Sequence, residues 1–287
     1  MKQSGKHYKR IVVKIGSSLF CSGSGLDCSL AGGLAKQIAD LMKQGKEVIL
    51  VSSGAIALGM SVLGLSRRPR NLASLQAAAA VGQNELMDVY RQAFKNKQLN
   101  CAQILLTWED FDDHGRYLNA KNTIDTLLKL KVVPVINEND TISTDEIKFG
   151  DNDRLSALVA TLTGADLLVI LSDVDGLLDK DKKVISDVYR ITPAIKALAC
   201  PTKNKTCVGG MITKIEAAEI AVNSNIPCKI TNGRNGNSII DSVAPFASGT
   251  TSHPSASKPL GVKARWIASR QHRFNLGVMR GLNDSKT

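Results

Sequence analysis

A three-layer αβα sandwich around a mostly parallel, open sheet is the fold class that this sequence predicts. Short apolar segments rich in β-branched residues alternate with longer segments whose apolar residues recur at helical spacing. Parallel strands need crossover helices that cover both faces of the sheet, so such strands appear as continuous apolar runs. The 287-residue length and a hydrophobic content of 43% are sufficient for one large domain with its own core.

The alternation begins at residues 10–16, RIVVKIG, a β-branched run that ends in glycine and is typical of a buried strand. The further predicted strands cover residues 47–52, 101–107, 132–136, 167–171 and 227–231. A short helix is predicted after position 55, and the other predicted helices cover residues 30–44, 72–94, 117–129, 153–163 and 211–223. Residues 137–150 are polar, and Ile142 and Ile147 suggest a β-hairpin within them.

The net charge of +11 is concentrated at the two ends of the chain. Residues 1–14 contain five bases and no acid, and residues 258–287 contain seven bases and one acid. The 243 residues between them carry 25 bases and 25 acids, as in an ordinary enzyme, so nucleic acid is not an expected partner. We expect a basic N-terminal extension over 1–9, one domain over 10–250 and a basic tail over 251–287.

The six cysteines form no CxxC pair, and only four histidines accompany them. Neither a disulfide framework nor a zinc site is supported, and no protein-held metal is expected. No apolar run approaches the ~18 residues that a membrane span requires, and the polar start lacks the apolar stretch of a signal peptide. These features predict a cytoplasmic protein without a membrane partner.

Ligands of open parallel sheets bind beyond the carboxyl ends of the strands. Small, glycine-containing segments occur at three strand-to-helix junctions: KIGSS at 14–18, SSGAIALG at 52–59 and VGGMITK at 208–214. Glycine lets backbone N–H groups approach an anion, and a helix N-terminus adds partial positive charge. Each segment could equally serve chain geometry alone, and none matches the P-loop or the dinucleotide-binding pattern.

Two lysines favour the interpretation as a phosphate site. Lys14 lies within an apolar strand, where a lone ammonium is costly, so it should meet a carboxylate or a charged ligand. Lys214 opens a helix, where a cation is unfavourable unless an anion such as a nucleotide phosphate is near. A solvated lysine remains the alternative at each position.

Acids and amides are densest in residues 137–153, NENDTISTDEIKFGDND. Together they offer both acceptors and donors to a zwitterionic substrate. The EF-hand pattern is absent, so calcium is not expected. The segment SDVDGLL at 172–178 ends the most apolar strand with a polar turn suited to a nucleotide.

The order of these motifs, KIGSS, SSGAIALG, INENDTISTDEIKFGDND, LSDVDGLL and VGGMITK, resembles that of the amino acid kinase family from about residue 10 to 265. The resemblance implies the fold of that family and ATP-dependent phosphorylation of the side-chain carboxylate of L-glutamate, the first step of proline biosynthesis. It implies ATP and Mg²⁺, with Mg²⁺ held largely by ATP phosphates and water, proline as a feedback inhibitor, and a homo-oligomer, either dimer or tetramer. Too few residues follow Trp266 for the PUA domain that many members carry, so a short form is expected.

The resemblance also implies roles for single residues. Catalytic roles fall on Lys14, Lys214 and Asp153, with Asp153 orienting the two lysines. Substrate-binding roles fall on Ser53, Gly54, Ala55, Asn137, Asp140, Asp151 and Asn152. Nucleotide-binding roles fall on Lys14, Gly16, Ser17, Ser172, Asp173, Val208, Gly209, Gly210, Met211, Ile212, Thr213 and Lys214. Since Cys207 and Val208 replace a more glycine- and hydroxyl-rich run, nucleotide contacts are expected to differ there.

The expected nucleophile is a carboxylate that is already ionised at neutral pH, so the scarcity of histidine is no obstacle. Rival substrates within the family are acetylglutamate, aspartate, carbamate and UMP. The paired acids at positions 140 and 151 favour a substrate with a free amino group. An RNA-binding or regulatory protein that uses the basic tail is an alternative from another class, as is a nicotinamide-dependent dehydrogenase, which the missing fingerprint disfavours.

Overall fold

The computed structural model describes residues 8–22, 25–26, 28–143, 152–199, 210–244 and 248–254. Its strands are β1 (Arg10–Ile15), β2 (Cys21–Ser22), β3 (Gly25–Leu26), β4 (Glu47–Ser52), β5 (Asn100–Leu106), β6 (Val132–Glu138), β7 (Leu167–Ser172), β8 (Asp187–Val188), β9 (Cys228–Asn232) and β10 (Thr250–Ser252). Eight of them form one sheet in the order β5-β6-β4-β1-β7-β9-β10-β8, while β2 pairs with β3. Among the described strands of the large sheet, β9 and β10 pair antiparallel and all other neighbours pair parallel. The mostly parallel sheet predicted from the apolar runs is confirmed.

Helices cover both faces of this sheet. They are α1 (Ser17–Phe20), α2 (Cys28–Lys43), α3 (Ala55–Val62), α4 (Leu72–Lys95), α5 (His114–Lys129), α6 (Asn152–Thr163), α7 (Pro193–Leu198), α8 (Met211–Asn223) and α9 (Ser238–Val243), with a 3₁₀ turn at Trp108–Phe111. One buried core lies between the sheet and α2, α3, α4 and α9. A second core lies between the sheet and α5, α6 and α8. Two cores on opposite faces of one sheet make the three-layer αβα architecture. None of the helices in the described ranges is long and apolar enough to cross a bilayer.

The central strand β1 distributes its side chains between the two cores. Ile11, Val13 and Ile15 belong to the core that contains α2 and α4, and Val12 belongs to the core that contains α6 and α8. Successive side chains of a strand point to opposite faces, so Lys14 shares the face of Val12. Both neighbours of β1 are parallel strands, β4 and β7. Lys14 is thereby directed toward α6 and α8 near the carboxyl edge of the sheet.

The regular elements agree closely with the sequence pattern. The predicted strands lie within two residues of the observed ones, and the predicted helices within three. Short elements were not predicted, among them β8, β10, α7 and α9. Two- and three-residue strands have too few positions to show a period, and tertiary pairing creates them. β10 extends to Ser252, so the sheet continues past position 250, where the sequence pattern placed the end of the domain.

The predicted hairpin at 137–150 falls largely on residues 144–150, which lie outside the described residues. The part that is described continues β6 to Glu138 and then turns. The turn is closed by backbone hydrogen bonds from Ile142 and Ser143 to the Asn139 carbonyl, at 3.2 and 3.0 Å.

Candidate active site

Asp153 lies between two lysines at the carboxyl edge of the sheet. Its Oδ1 is 2.5 Å from Lys14 Nζ, and its Oδ2 is 3.2 Å from Lys214 Nζ. The Thr213 hydroxyl donates to the same Oδ2 at 2.8 Å. Lys14 and Asp153 are buried, and the side chain of Lys214 is 12% exposed. The structure therefore brings together the three residues for which the resemblance implies catalytic roles.

The local structure explains this convergence. Asp153 is the second residue of α6, where the partial positive charge of a helix N-terminus favours a carboxylate. Lys214 lies in the first turn of α8, where a cation is unfavourable by itself, and the Asp153 carboxylate offsets that penalty. A second ion pair, with Arg154 Nε 3.0 Å from Glu216 Oε2, ties α6 to α8. The two helices thus hold Asp153 and Lys214 in fixed relation to Lys14.

The charges of this cluster determine the state of its carboxyl group. Burial by itself would raise the pKa of Asp153, because desolvation disfavours the charged form. The charges of Lys14 and Lys214, with hydrogen bonds from Lys14 and Thr213, outweigh burial and hold that pKa well below its usual range. One carboxylate shared by two ammonium groups leaves one formal positive charge in excess. Such a cluster is suited to receive an anionic group such as a phosphoryl group.

The loop between β4 and α3 forms a second part of the site. Gly54 precedes α3 with φ 111° and ψ −1°, a left-handed conformation that favours glycine. Ser53 is 8% exposed, and its hydroxyl has no hydrogen-bond partner among the described residues. Ala55 begins α3 and is buried. A buried hydroxyl without a partner is costly, which suggests that a ligand supplies one.

Two glycines hold this loop against the long helix α4. A Cβ built on Gly59 would lie 1.7 Å from the Ala78 carbonyl oxygen, and one built on Gly82 would lie 1.8 Å from the Ala55 carbonyl oxygen. Neither position can accept a side chain, so α3 and α4 touch through their backbones. The Ala55 end of the loop is therefore placed by direct contact with α4.

A line of side-chain amides crosses the site between Ser52 and β5. Asn152 Nδ2 donates to the Ser52 carbonyl and, at 2.7 Å, to Asn137 Oδ1. Asn137 Nδ2 donates to Gln83 Oε1 at 2.8 Å, and Gln83 Nε2 donates to Gln103 Oε1 at 3.0 Å. Both asparagines were predicted site residues. The two glutamines were not, because a lone glutamine in an alanine-rich helix or in a strand carries no local signal.

Asp140 lies in the turn after β6 and is half-buried. Burial raises the pKa of its carboxyl group to about 6, and the charge of Arg68 lowers it in part. A nearby cation would stabilise the ionised form of such a carboxyl group. An ammonium group on a ligand is therefore a suitable partner for Asp140.

The turns after β1 and β7 lie side by side at the same edge. The Gly16 N–H donates to the Leu171 carbonyl at 3.2 Å, which sets Gly16 and Ser17 beside the end of β7. Ser172 ends β7 and is buried, and its hydroxyl donates to the exposed Asp173 at 3.1 Å. The predicted nucleotide residues after these two strands are thus neighbours.

The predicted residues at the start of α8 are described from Gly210 onward. Gly210 precedes the helix, and its carbonyl lies 2.9 Å from the Thr213 hydroxyl. Met211, Ile212 and Lys214 are half-buried. Three further predicted site residues, Asp151, Val208 and Gly209, lie outside the described residues.

Across the described parts of the chain, no group of three or more histidine, cysteine, aspartate or glutamate side chains could hold a metal ion. Among the described residues, the carboxylate at the centre of the site, Asp153, is engaged by two lysines and would have to leave them to bind a metal ion. A divalent cation bound to the phosphates of a nucleotide would be part of the substrate.

A strand-borne lysine, a helix-borne lysine and a shared aspartate thus lie together at the edge of a parallel αβα sheet. Residues 9–232 match the model of the Amino acid kinase family, and the chain belongs to that family.

Curated glutamate 5-kinases are among the proteins to which the chain is similar. The protein of that name from Geobacter sulfurreducens is 45% identical over 267 residues, which cover 91% of this chain and 71% of the relative. The one from Azoarcus sp. (strain BH72) is 44% identical over 299 aligned positions, gaps included, which span 100% of this chain and 80% of the relative.

A solved structure of N-acetylglutamate synthase from Neisseria gonorrhoeae, complexed with coenzyme A and N-acetyl-glutamate, matches with a TM-score of 0.64. The two proteins are 16% identical, and the match covers 87% of this chain and 60% of the length of that one. This likeness concerns the fold alone.

Proposed function

We propose that this protein transfers the γ-phosphoryl group of ATP to the side-chain carboxylate of L-glutamate, giving L-glutamyl 5-phosphate and ADP, the first step of proline biosynthesis. One observation carries the proposal. Asn152 and Asp153 are consecutive residues at the start of α6, and the first joins the amide line while the second joins the lysine cluster. A polar amino acid bound at the amide line would therefore adjoin an anionic group bound at the lysine cluster.

The chemistry requires two anions to be brought together. A carboxylate oxygen of glutamate attacks the γ-phosphorus while the bond from that phosphorus to the bridging oxygen breaks and ADP leaves. The attacking group is already ionised, so no general base is needed. Lys14 and Lys214 would offset the repulsion and the charge on the phosphoryl oxygens, and Asp153 would hold both ammonium groups in place.

The amino acid would lie against the β4–α3 loop and the amide line. Ser53 would supply a hydroxyl whose hydrogen-bonding capacity is unused within the described residues, and Gly54 and Ala55 would supply backbone groups. Asp140 would pair with the substrate ammonium, which explains how a carboxylate with a raised pKa becomes stabilised. Asn137 and Asn152 would contribute amide groups. We further propose that Asp151 contacts the same substrate.

The nucleotide would lie across the turns after β1 and β7 and the start of α8. Gly16 and Ser17 would meet its phosphates, and Ser172 and Asp173 its base or ribose. Val208, Gly209, Gly210, Met211, Ile212 and Thr213 would complete this side of the site. Mg²⁺ would enter with ATP, held by phosphate oxygens and water, and would neutralise part of the phosphate charge.

Further properties form part of the same proposal. We propose residues 10–250 as the kinase domain, closed by the strand that continues to Ser252, with basic flanks over 1–9 and 251–287. We also propose a homo-oligomer, a dimer or tetramer, that proline inhibits by feedback. The cytoplasm, which supplies both ATP and glutamate, is the proposed location.

The test is a coupled assay of ADP release with MgATP and a panel of acceptors: L-glutamate, L-aspartate and N-acetyl-L-glutamate. Turnover is expected with L-glutamate and is expected to depend on Mg²⁺. A Lys14→Met variant serves as the control for contaminating activity. Turnover of N-acetyl-L-glutamate without turnover of L-glutamate would contradict the proposal.

A further inference from the structure

The four side chains of the amide line, here called the amide chain, are hydrogen-bonded in series, so that each amide nitrogen donates to the oxygen of the next amide. Asn152 donates to Asn137 at 2.7 Å, Asn137 to Gln83 at 2.8 Å, and Gln83 to Gln103 at 3.0 Å. The chain joins α6, β6, α4 and β5, four elements that the fold brings together from distant parts of the sequence. Gln83 is 9% exposed, whereas Gln103 at the far end is exposed.

Two backbone groups determine which end of each asparagine amide is the oxygen. The Ser52 carbonyl can only accept, so the Asn152 atom that faces it must be the nitrogen. The Glu138 N–H can only donate, so the Asn137 atom 2.9 Å from it must be the oxygen. These backbone groups therefore set the direction of the two asparagine amides, and that direction leaves Asn137 Nδ2 in need of the acceptor that Gln83 supplies.

This direction decides which atom of Asn152 can meet a substrate. The two hydrogens of Asn152 Nδ2 are engaged by the Ser52 carbonyl and Asn137 Oδ1. The remaining polar atom is Oδ1, which only accepts hydrogen bonds. A lone acceptor suits a protonated amino group and repels a carboxylate. Asn152 and Asp140 would then recognise the same group of the substrate.

We infer that Gln83 is a positioning residue that, through Asn137, holds the carbonyl oxygen of Asn152 toward the amino group of the substrate. Gln83 Oε1 is the acceptor for Asn137 Nδ2. Without that acceptor, Asn137 Nδ2 loses its partner in the present orientation. Turning the amide over would give no remedy, because its nitrogen would then face two donors, the Glu138 N–H and Asn152 Nδ2. In either orientation a buried hydrogen bond is lost, and Asn137 holds Asn152 less firmly. This inference rests on the proposed function, since it names the substrate group that the site selects.

Gln83→Met tests the inference, because methionine keeps the length and packing of the side chain and removes the acceptor. Loss of one buried acceptor is expected to raise the KM for glutamate on the order of tenfold. The KM for ATP should change by less than about twofold, since none of the described residues assigned to the nucleotide has a hydrogen bond to the four amides.

Gln37→Met is a matched control for a purely structural effect. Gln37 is 4% exposed and accepts a hydrogen bond from the Ile239 N–H at 2.8 Å, outside the amide chain. Its loss should lower stability and leave the KM for glutamate unchanged. Gln83→Glu keeps an acceptor opposite Asn137, and the exposed Gln103 can turn its amide to donate. That variant should therefore return the KM for glutamate toward the value of the unsubstituted protein.

Equal KM values for glutamate in Gln83→Met and Gln37→Met would overturn the inference. A second readout, hydrogen exchange of the Asn137 and Asn152 side-chain amides measured by NMR, does not depend on activity. Slow exchange is expected in the unsubstituted protein and in Gln37→Met, and fast exchange in Gln83→Met. If Gln83→Met does not fold, fast exchange in the unsubstituted protein still refutes the inference. A protein without glutamate turnover would refute the proposed function, while the exchange measurement would still decide the amide orientation.

Discussion

Replacement of Asp153 by asparagine tests the central electrostatic claim. Asparagine keeps the shape of the side chain and removes its charge, which leaves Lys14 and Lys214 without their shared counter-ion. Both lysines are largely withdrawn from solvent, with side-chain exposures of 6% and 12%. Removal of one partner from a buried ion pair costs about 3 to 5 kcal/mol, because an uncompensated charge stays behind. We therefore expect the free energy of unfolding at pH 7.5 to fall by about 3 to 5 kcal/mol.

Urea denaturation followed by circular dichroism measures this change. Its dependence on pH tests whether ionised Asp153 stabilises the folded protein. The pKa of Asp153 is held below its usual range in the folded protein. Its ionisation therefore contributes stability that is present above pH ~4, the unfolded pKa, and is lost as the pH falls through the lower folded pKa. The difference in the free energy of unfolding between the unsubstituted protein and Asp153→Asn should accordingly shrink as the pH falls below ~4.

An anion offers a second check. Tripolyphosphate or ADP bound near the two lysines would supply the missing negative charge, so either should stabilise Asp153→Asn more than the unsubstituted protein. The rate of phosphoryl transfer should still fall on the order of a hundredfold, because the lysines lose their fixed positions. A loss of stability below ~1 kcal/mol that depends on neither pH nor anions would show that the three groups do not act as one buried unit.

Three other variants follow from the same geometry. Lys14→Met should lower kcat by about a hundredfold to a thousandfold, whereas the affinity for an ATP analogue, measured by calorimetry, should stay nearly unchanged. Equal losses of kcat and of affinity would show that Lys14 acts in ground-state binding. Asp140→Asn should raise the free energy of unfolding at pH 7.5 by about 1 to 3 kcal/mol, since burial disfavours the ionised form. The same variant should weaken glutamate binding, and in the unsubstituted protein the KM for glutamate should rise below pH 6, where Asp140, with its pKa of about 6, becomes protonated. A KM that is flat from pH 5 to 8 would remove Asp140 from the ammonium site. Gly54→Ala should destabilise the fold by about 1 to 2 kcal/mol, because its φ of 111° strains any residue with a Cβ; an unchanged melting temperature would contradict this.

The position of Lys14 shows what the sequence could predict. A charge inside an apolar strand is costly, and that cost alone indicated a buried partner at the sheet edge. The period of two in β1 then assigns Lys14 to the face of Val12, where α6 and α8 pack. The identity of the partner, Asp153, came from the family resemblance, because no local pattern links a strand residue to a helix so far along the chain.

Gln83 shows what the sequence could not predict. Its partner Asn137 lies 54 positions further along the chain, and only the packing of α4 against the sheet brings the two amides together. The strand β10 was missed for a related reason, since three residues that pair with β9 and β8 have no periodicity of their own. Local preference identifies elements, whereas contacts between distant segments appear only in the folded chain.

The backbone contact between α3 and α4 has a mechanical consequence for the pocket. Gly82 touches the Ala55 carbonyl and stands next to Gln83 in α4. A displacement of one helix is transmitted to the other through peptide groups, with no intervening rotamer to absorb it. The wall that would meet the carbon chain of the amino acid and the wall that orients its amino group therefore move together, so the distance between them stays constant while either helix shifts.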